Sequence, residues 1–218
     1  MKVVLFGATG MVGGGALLEA LDDSRVEEVV VVGRRSCAAR HPKIREILLR
    51  DFFDYRPARS GFTDADACLF CLGVSSLGMS EEAYTRVTHD LTLAAARAIL
   101  EAGSKPTFCY VSGAGTDANG RAMWARVKGR TENDLLAMPF RGAYMFRPGY
   151  IQPRRGVRSK TGWYRTFYAA FGVLYPLLRL ALPSLVTSTD VLGRALVRVA
   201  AEGYPKPILE TRDFNRIG

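Results

Sequence analysis

Gly7-Ala8-Thr9-Gly10-Met11-Val12-Gly13 is the stretch on which the fold turns. It follows Val3-Val4-Leu5-Phe6, an apolar run that reads as a strand, and it opens an apolar pattern at helical spacing over residues 11–21. In that context each glycine has a physical use. Gly7 allows a tight turn, Gly10 lets a pyrophosphate approach the backbone, and Gly13 lets the helix pack close to the strand. Unpaired N–H groups at the helix start then face the anion, helped by the helix dipole. The competing reading is a glycine turn with no ligand.

The next strand bears on which dinucleotide fits. A site for NAD usually carries Asp or Glu near the end of this strand, to hold the ribose 2′-hydroxyl. Here Val29-Val30-Val31-Val32 runs into Gly33-Arg34-Arg35. A carboxylate would repel the 2′-phosphate of NADP, whereas a guanidinium can bind it in bidentate fashion and stack on adenine. Arg34 and Arg35 therefore favour NADP(H) over NAD. A basic surface turn is the plain alternative.

Outward from the turn, strands are predicted over residues 2–6, 28–32, 44–49, 67–72, 107–111 and 143–147, with a weaker one at 207–210. Several lack in–out alternation, as strands covered on both faces do. Helices are predicted over 11–21, 80–102, 121–138 and 188–201. Ser80 caps the second, with Glu81 and Glu82 in its first turn. The alternation implies a doubly wound parallel α/β sheet of Rossmann type, helices on both faces, in a single domain over residues 1–218. Residues 150–187 are expected to form a small helical substrate-side or lid region. Its aromatic stretch, 162–186, could wall an apolar substrate pocket, form a homodimer face, or rest on a membrane beside the basic run Arg154-Arg155-Gly156-Val157-Arg158-Ser159-Lys160.

In such sheets ligands bind beyond the carboxyl ends of the strands. The predicted tips carry Asp51-Phe52, placed to meet an adenine ring, then Leu72-Gly73-Val74-Ser75, Ser112 through Asp117, and Pro148-Gly149-Tyr150. The GATGMVG turn resembles the extended and atypical short-chain dehydrogenase/reductase superfamily. Arg50-Asp51-Phe52, Cys71-Leu72-Gly73, Val111-Ser112, Val127-Lys128-Gly129 and Phe146-Arg147-Pro148-Gly149 occur in the same order in its NmrA-like and Tat-interacting-protein-like group. The resemblance implies a cofactor site made by Gly7, Thr9, Gly10, Met11, Val12, Gly13, Arg34, Arg35, Asp51, Phe52, Leu72, Gly73, Val74, Lys128 and Pro148.

It also implies a Tyr-x-x-x-Lys pair, in which lysine holds the nicotinamide ribose and tyrosine exchanges the substrate proton. The matching stretch is Trp124-Ala125-Arg126-Val127-Lys128, so lysine is present and tryptophan stands in tyrosine's place. Indole N–H donates a hydrogen bond but does not titrate usefully. Three readings follow: a reductase of small apolar carbonyl compounds with a substitute acid (Tyr150, Ser112, Ser75, Asp117 or water); an NADP(H)-binding redox sensor without turnover; or an epimerase- or dehydratase-like enzyme, ranked last because it too needs the tyrosine. Trp124 as plain helix packing is the competing reading of that residue.

Composition narrows the rest. The 218 residues are 48% hydrophobic with a formal net charge of +9. Basic residues are spread out and no nucleic-acid motif is visible, so nucleic-acid binding is not expected. Cys37, Cys68, Cys71 and Cys109 do not form a disulfide framework, and Cys68 and Cys71, three apart on a strand, point to opposite faces, so no metal is expected. His41 lies in a basic loop, and His89 and Asp90, adjacent on a helix, are not expected to face each other. The short apolar run at the start does not read as a signal peptide, which leads to an expectation of a cytoplasmic protein.

Overall fold

The computed structural model describes residues 1–157 and 184–218. Most of the aromatic stretch 162–186, with Arg158 and Lys160, lies outside the described residues. The chain runs β1 (Lys2–Phe6), α1 (Met11–Asp22), β2 (Glu28–Gly33), β3 (Ile44–Leu48), a 3-10 turn and short α2 (Arg59–Phe62), then β4 (Ala67–Phe70). There follow α3 (Glu81–Thr85), a π-helical turn (Arg86–Asp90), α4 (Leu91–Glu101), β5 (Thr107–Val111), α5 (Met123–Leu136) and β6 (Gly142–Arg147). Beyond it lie β7 (Tyr150–Gln152), β8 (Val186–Ser188), α6 (Thr189–Glu202), β9 (Ile208–Glu210) and α7 (Thr211–Ile217).

Among the described residues, seven strands form one parallel sheet in the order β3-β2-β1-β4-β5-β6-β9. This is the expected doubly wound Rossmann-type arrangement, and the order reverses between β1 and β4. The unbroken apolar runs have a geometric cause. Val3, Leu5, Val29, Val31 and Leu69 face α1 and α6 on one side of the sheet. Val4, Phe6, Val30, Val32 and Phe70 face α4, Phe62 and Leu135 on the other. Period-two alternation thus delivers apolar residues to both faces. Each fully buried Phe or Leu contributes about 2 kcal/mol, and Phe6, Phe62, Phe70, Phe108 and Phe146 are among the largest buried side chains. Cys68 and Cys71 do fall on opposite faces.

Three differences from the predicted elements matter. β4 stops at Phe70, two residues early, and after the Cys71 amide donates to the Phe6 carbonyl at 3.1 Å, Leu72 leaves the ladder at the sheet's carboxyl edge. The single predicted helix 80–102 contains a π turn. A separate pair, β7 with β8, joins Tyr150 to Val186 in parallel register; three-residue strands so distant in sequence carry no readable periodicity. No helix among the described residues is long and apolar enough to cross a membrane.

Candidate functional site: a trough at the carboxyl edge of the sheet

Gly7 has φ +82°, a conformation that L side chains rarely adopt, and a Cβ there would press on the Cys71 carbonyl. A Cβ on Gly13 would overlap the Gly7 carbonyl, so the α1 backbone can pass this close to β1 only at glycine. The Gly10 amide donates to the Gly7 carbonyl at 2.8 Å, closing the turn. α1 then opens on Gly10 with no side-chain cap. Its first amides are the donors that helices leave without an internal partner.

Three hollows meet along the strand tips. The smallest lies among Gly7, Thr9, Arg34, Arg35, Phe52 and Leu72. The second, about 380 Å³, is walled by Arg34, Asp51, Phe52, Gly73, Val74, Val87 and Leu91. The third, about 530 Å³, is walled by Gly10, Met11, Val12, Leu72, Ser112, Trp124, Lys128 and Pro148, with Tyr84 and Ser75. Leu72 borders all three, so they adjoin one another as a trough along the strand tips. The cofactor residues expected from sequence line it, except Gly13, which sits behind the turn. A hollow of about 510 Å³ between Phe53, Arg59, Arg97 and Glu101 lies on the helical face, away from the strand tips.

Each end of the trough has its own electrostatics. Arg34 and Arg35 are exposed, and among the described residues neither has an ion-pair or hydrogen-bond partner. The nearby carboxylate of Glu46 is occupied, accepting from Ser36 Oγ at 2.8 Å and the Cys37 amide at 2.6 Å. Those two donors, with the Cys37 thiol, hold Glu46 below the usual carboxylate range. At the other end α5 presents Trp124 and Lys128 one helical turn apart. Lys128 Nζ donates to the Ser112 carbonyl at 2.9 Å and lies 5.7 Å from the centre of the Tyr110 ring. Burial pulls its amine down to about 8, with Glu132 opposing the shift. Glu132 is 1% exposed and clamped by Arg147, whose Nε donates at 3.1 Å.

Ser112 is buried, and its Oγ lies 3.0 Å from Thr116 Oγ1. Thr116 already donates to the Gly113 carbonyl at 2.8 Å. With Thr116 donating there, Ser112 is free to donate to Thr116 within the pair. Tyr150 is not among the described residues that line the trough, although Gly149 and Ile151 are. Its hydroxyl donates to Gln152 Oε1 at 2.8 Å. Asp117 is turned to its own loop and accepts from the Asn119 amide at 2.9 Å.

Sequence reasoning missed the wall supplied by α3, the π turn and α4, namely Tyr84, Val87 and Leu91. The signal lay in the helix that follows the fourth strand tip, which must pass over the crevice. The expectation for His89 is corrected. Its Nδ1 lies 2.8 Å from Asp90 Oδ1, and its Nε2 lies 2.7 Å from Asp134 Oδ2 on α5. The π turn over Arg86–Asp90 departs from the 3.6-residue spacing on which that expectation rested.

The fold resembles that of solved short-chain dehydrogenases/reductases. A short-chain dehydrogenase/reductase from Saccharomyces cerevisiae superposes with a TM-score of 0.69 at 10% identity, covering 99% of this chain and 98% of that one. No family model matches the chain. Among curated proteins, it is 30% identical over 162 residues to the protein FMP52, mitochondrial, of Eremothecium gossypii, covering 73% of this chain and 70% of that protein. Against the protein fmp52, mitochondrial, of Emericella nidulans it is 28% identical over 204 residues, 90% of this chain and 85% of the relative. The chain belongs to the Fmp52 family. The expected cytoplasmic location is corrected by the same finding: these relatives are named as mitochondrial proteins, which points to mitochondria instead.

Proposed function

We propose that the chain binds NADP(H) along this trough and reduces small apolar carbonyl compounds at its Lys128 end. The observation that carries the reading is the row of adjoining hollows, which passes from two guanidiniums without a partner among the described residues, past an uncapped helix start, to a half-buried lysine. The residues fit the cofactor piece by piece. Arg34 and Arg35 suit a 2′-phosphate, which weighs against NAD. Phe52, Val74, Val87 and Leu91 suit an adenine. The Gly7–Gly13 cradle suits a pyrophosphate, because no Cβ intrudes and the α1 amides face outward. Lys128 suits the nicotinamide ribose. When bound, the reduced nicotinamide supplies hydride. The chain's own part is to bind, to orient and to supply a proton. The order of the later motifs supports a place beside the NmrA-like and Tat-interacting-protein-like group.

A specific observation favours the second reading, a redox sensor without turnover. Trp124 replaces the titrating residue, and Ser112 Oγ is already in a hydrogen bond with Thr116. One experiment separates the two. NADPH is titrated by fluorescence, and absorbance of the reduced nicotinamide is followed with a panel of aldehydes, ketones and quinones. Micromolar binding with turnover is expected. Tight binding with none on any compound supports the sensor, and no binding of either dinucleotide ends both readings. We also infer mitochondrial residence from the relatives' names; sedimentation with mitochondria in fractionated cells checks it.

A further inference from the structure

Loss of the tyrosine leaves open which group protonates the substrate oxygen, and the wall of the third hollow restricts the choice. Trp124 has an N–H that does not titrate in the useful range. Ser112 Oγ shares a hydrogen bond with Thr116, and an alcohol does not titrate in the useful range. Ser75 Oγ accepts from the Leu77 amide in its own loop and keeps its proton, but it too is an alcohol that does not titrate in the useful range. The Tyr84 ring is buried, and burial pushes its phenol above the usual range, which makes it a poorer acid.

Lys128 is placed differently. Of its three N–H groups one goes to the Ser112 carbonyl, and no other acceptor takes the remaining two among the described residues. The groups packed around it are few. Tyr110 of β5 presents its ring face, with its phenol raised by burial. Tyr84 comes from α3. Glu132, one turn along α5, is already held by Arg147 of β6. Among the described residues the ammonium therefore has no salt-bridge partner of its own, yet it borders the hollow.

We propose that the Lys128 ammonium is itself the proton donor, a role beyond the ribose contact assigned to it above, and one that rests on the reductase reading. As hydride from the reduced nicotinamide dinucleotide bonds to the carbonyl carbon, the C=O π pair moves to oxygen, which takes a proton from Nζ. The neutral amine then regains a proton from water. The balance is one carbonyl, one NADPH and one proton giving one alcohol and one NADP⁺. The active form is the protonated one. The rate is therefore full below the amine's value, about 8 in the folded chain, and falls as pH rises through it.

Two measurements test this. The first is lysine side-chain NMR of the chain without cofactor from pH 6 to 11, with Lys128→Arg or the smaller Lys128→Gln identifying the signal. A resonance titrating near 8 and absent from the variant is expected; a Lys128 signal that titrates near the ordinary lysine value, about 10.4, overturns the proposal. The second is turnover of the carbonyl panel with NADPH. Arginine keeps the charge and the donors but cannot release a proton in this range. Lys128→Arg is therefore expected to hold NADPH within about threefold and to lose at least about 100-fold in turnover. Turnover within about tenfold of wild type in Lys128→Arg, or loss of the alkaline limb in Tyr84→Phe instead, overturns the assignment alone. NADPH binding without turnover by the unaltered chain overturns the reductase reading and this one together.

Discussion

Arg34 and Arg35 stand at a strand tip with nothing in the described structure to neutralise them, while the adjacent carboxylate of Glu46 is already committed to Ser36 and Cys37. A doubly charged phosphate is the natural complement to two such guanidiniums. Arg34→Ala combined with Arg35→Ala is expected to weaken NADPH binding about 10- to 100-fold and to leave NADH nearly unchanged. Calorimetry with both dinucleotides reads this directly, and equal weakening refutes the phosphate contact. At this scale the sequence was highly legible. The glycines, the arginines, Trp124 and Lys128 were readable because each is a chemical type at a fixed offset from a strand end. The commitments of Ser112 and Tyr150 were not readable, since a hydroxyl's partner is fixed by neighbours such as Thr116 and Gln152 that no periodicity points to.

Among the elements, α5 carries the heaviest load. It presents Trp124, Lys128 and Glu132 at successive turns of one face, and Arg147 of β6 closes on the last of them. α3 and the π turn are tied to the same helix by Glu81 with Arg126 at 2.6 Å and by His89 with Asp134. Removing Glu132 takes away the close bidentate partner of Arg147 and leaves it only Glu210, whose Oε1 lies 3.5 Å away. Glu132→Ala is expected to cost about 3 kcal/mol, read as a lower urea midpoint. Glu132 also raises the Lys128 amine against the pull of burial, so the same variant is expected to shift the alkaline limb of turnover to lower pH. A limb that stays in place would mean that the two side chains do not sense each other. Element boundaries were less legible than element types. The π turn was hidden because its sequence, Arg86-Val87-Thr88-His89-Asp90, keeps a helical character while the hydrogen-bond spacing changes. α7 was missed despite a capping box between Glu210 and Asp213 that closes its first turn.

For the molecule as a whole, the parallel sheet gathers every loop of interest at one edge. The strand order was legible because buried strands alternating with helices admit few topologies, and a right-handed crossover prunes those further. The compartment was not legible, because an address is read by receptors rather than by the packing of β1 and α1. The row of adjoining hollows has an energetic corollary. Its two ends, Arg34–Arg35 and Lys128, are separate anchoring points joined through the wall at Leu72. A ligand that reaches both behaves as a bivalent guest, its second half arriving at millimolar effective concentration once the first has docked. NADPH is thus expected to bind about 10²- to 10⁴-fold more tightly than adenosine 2′,5′-bisphosphate or nicotinamide mononucleotide alone. If the bisphosphate matches NADPH in parallel titrations, tethering gains nothing and the far anchor is idle.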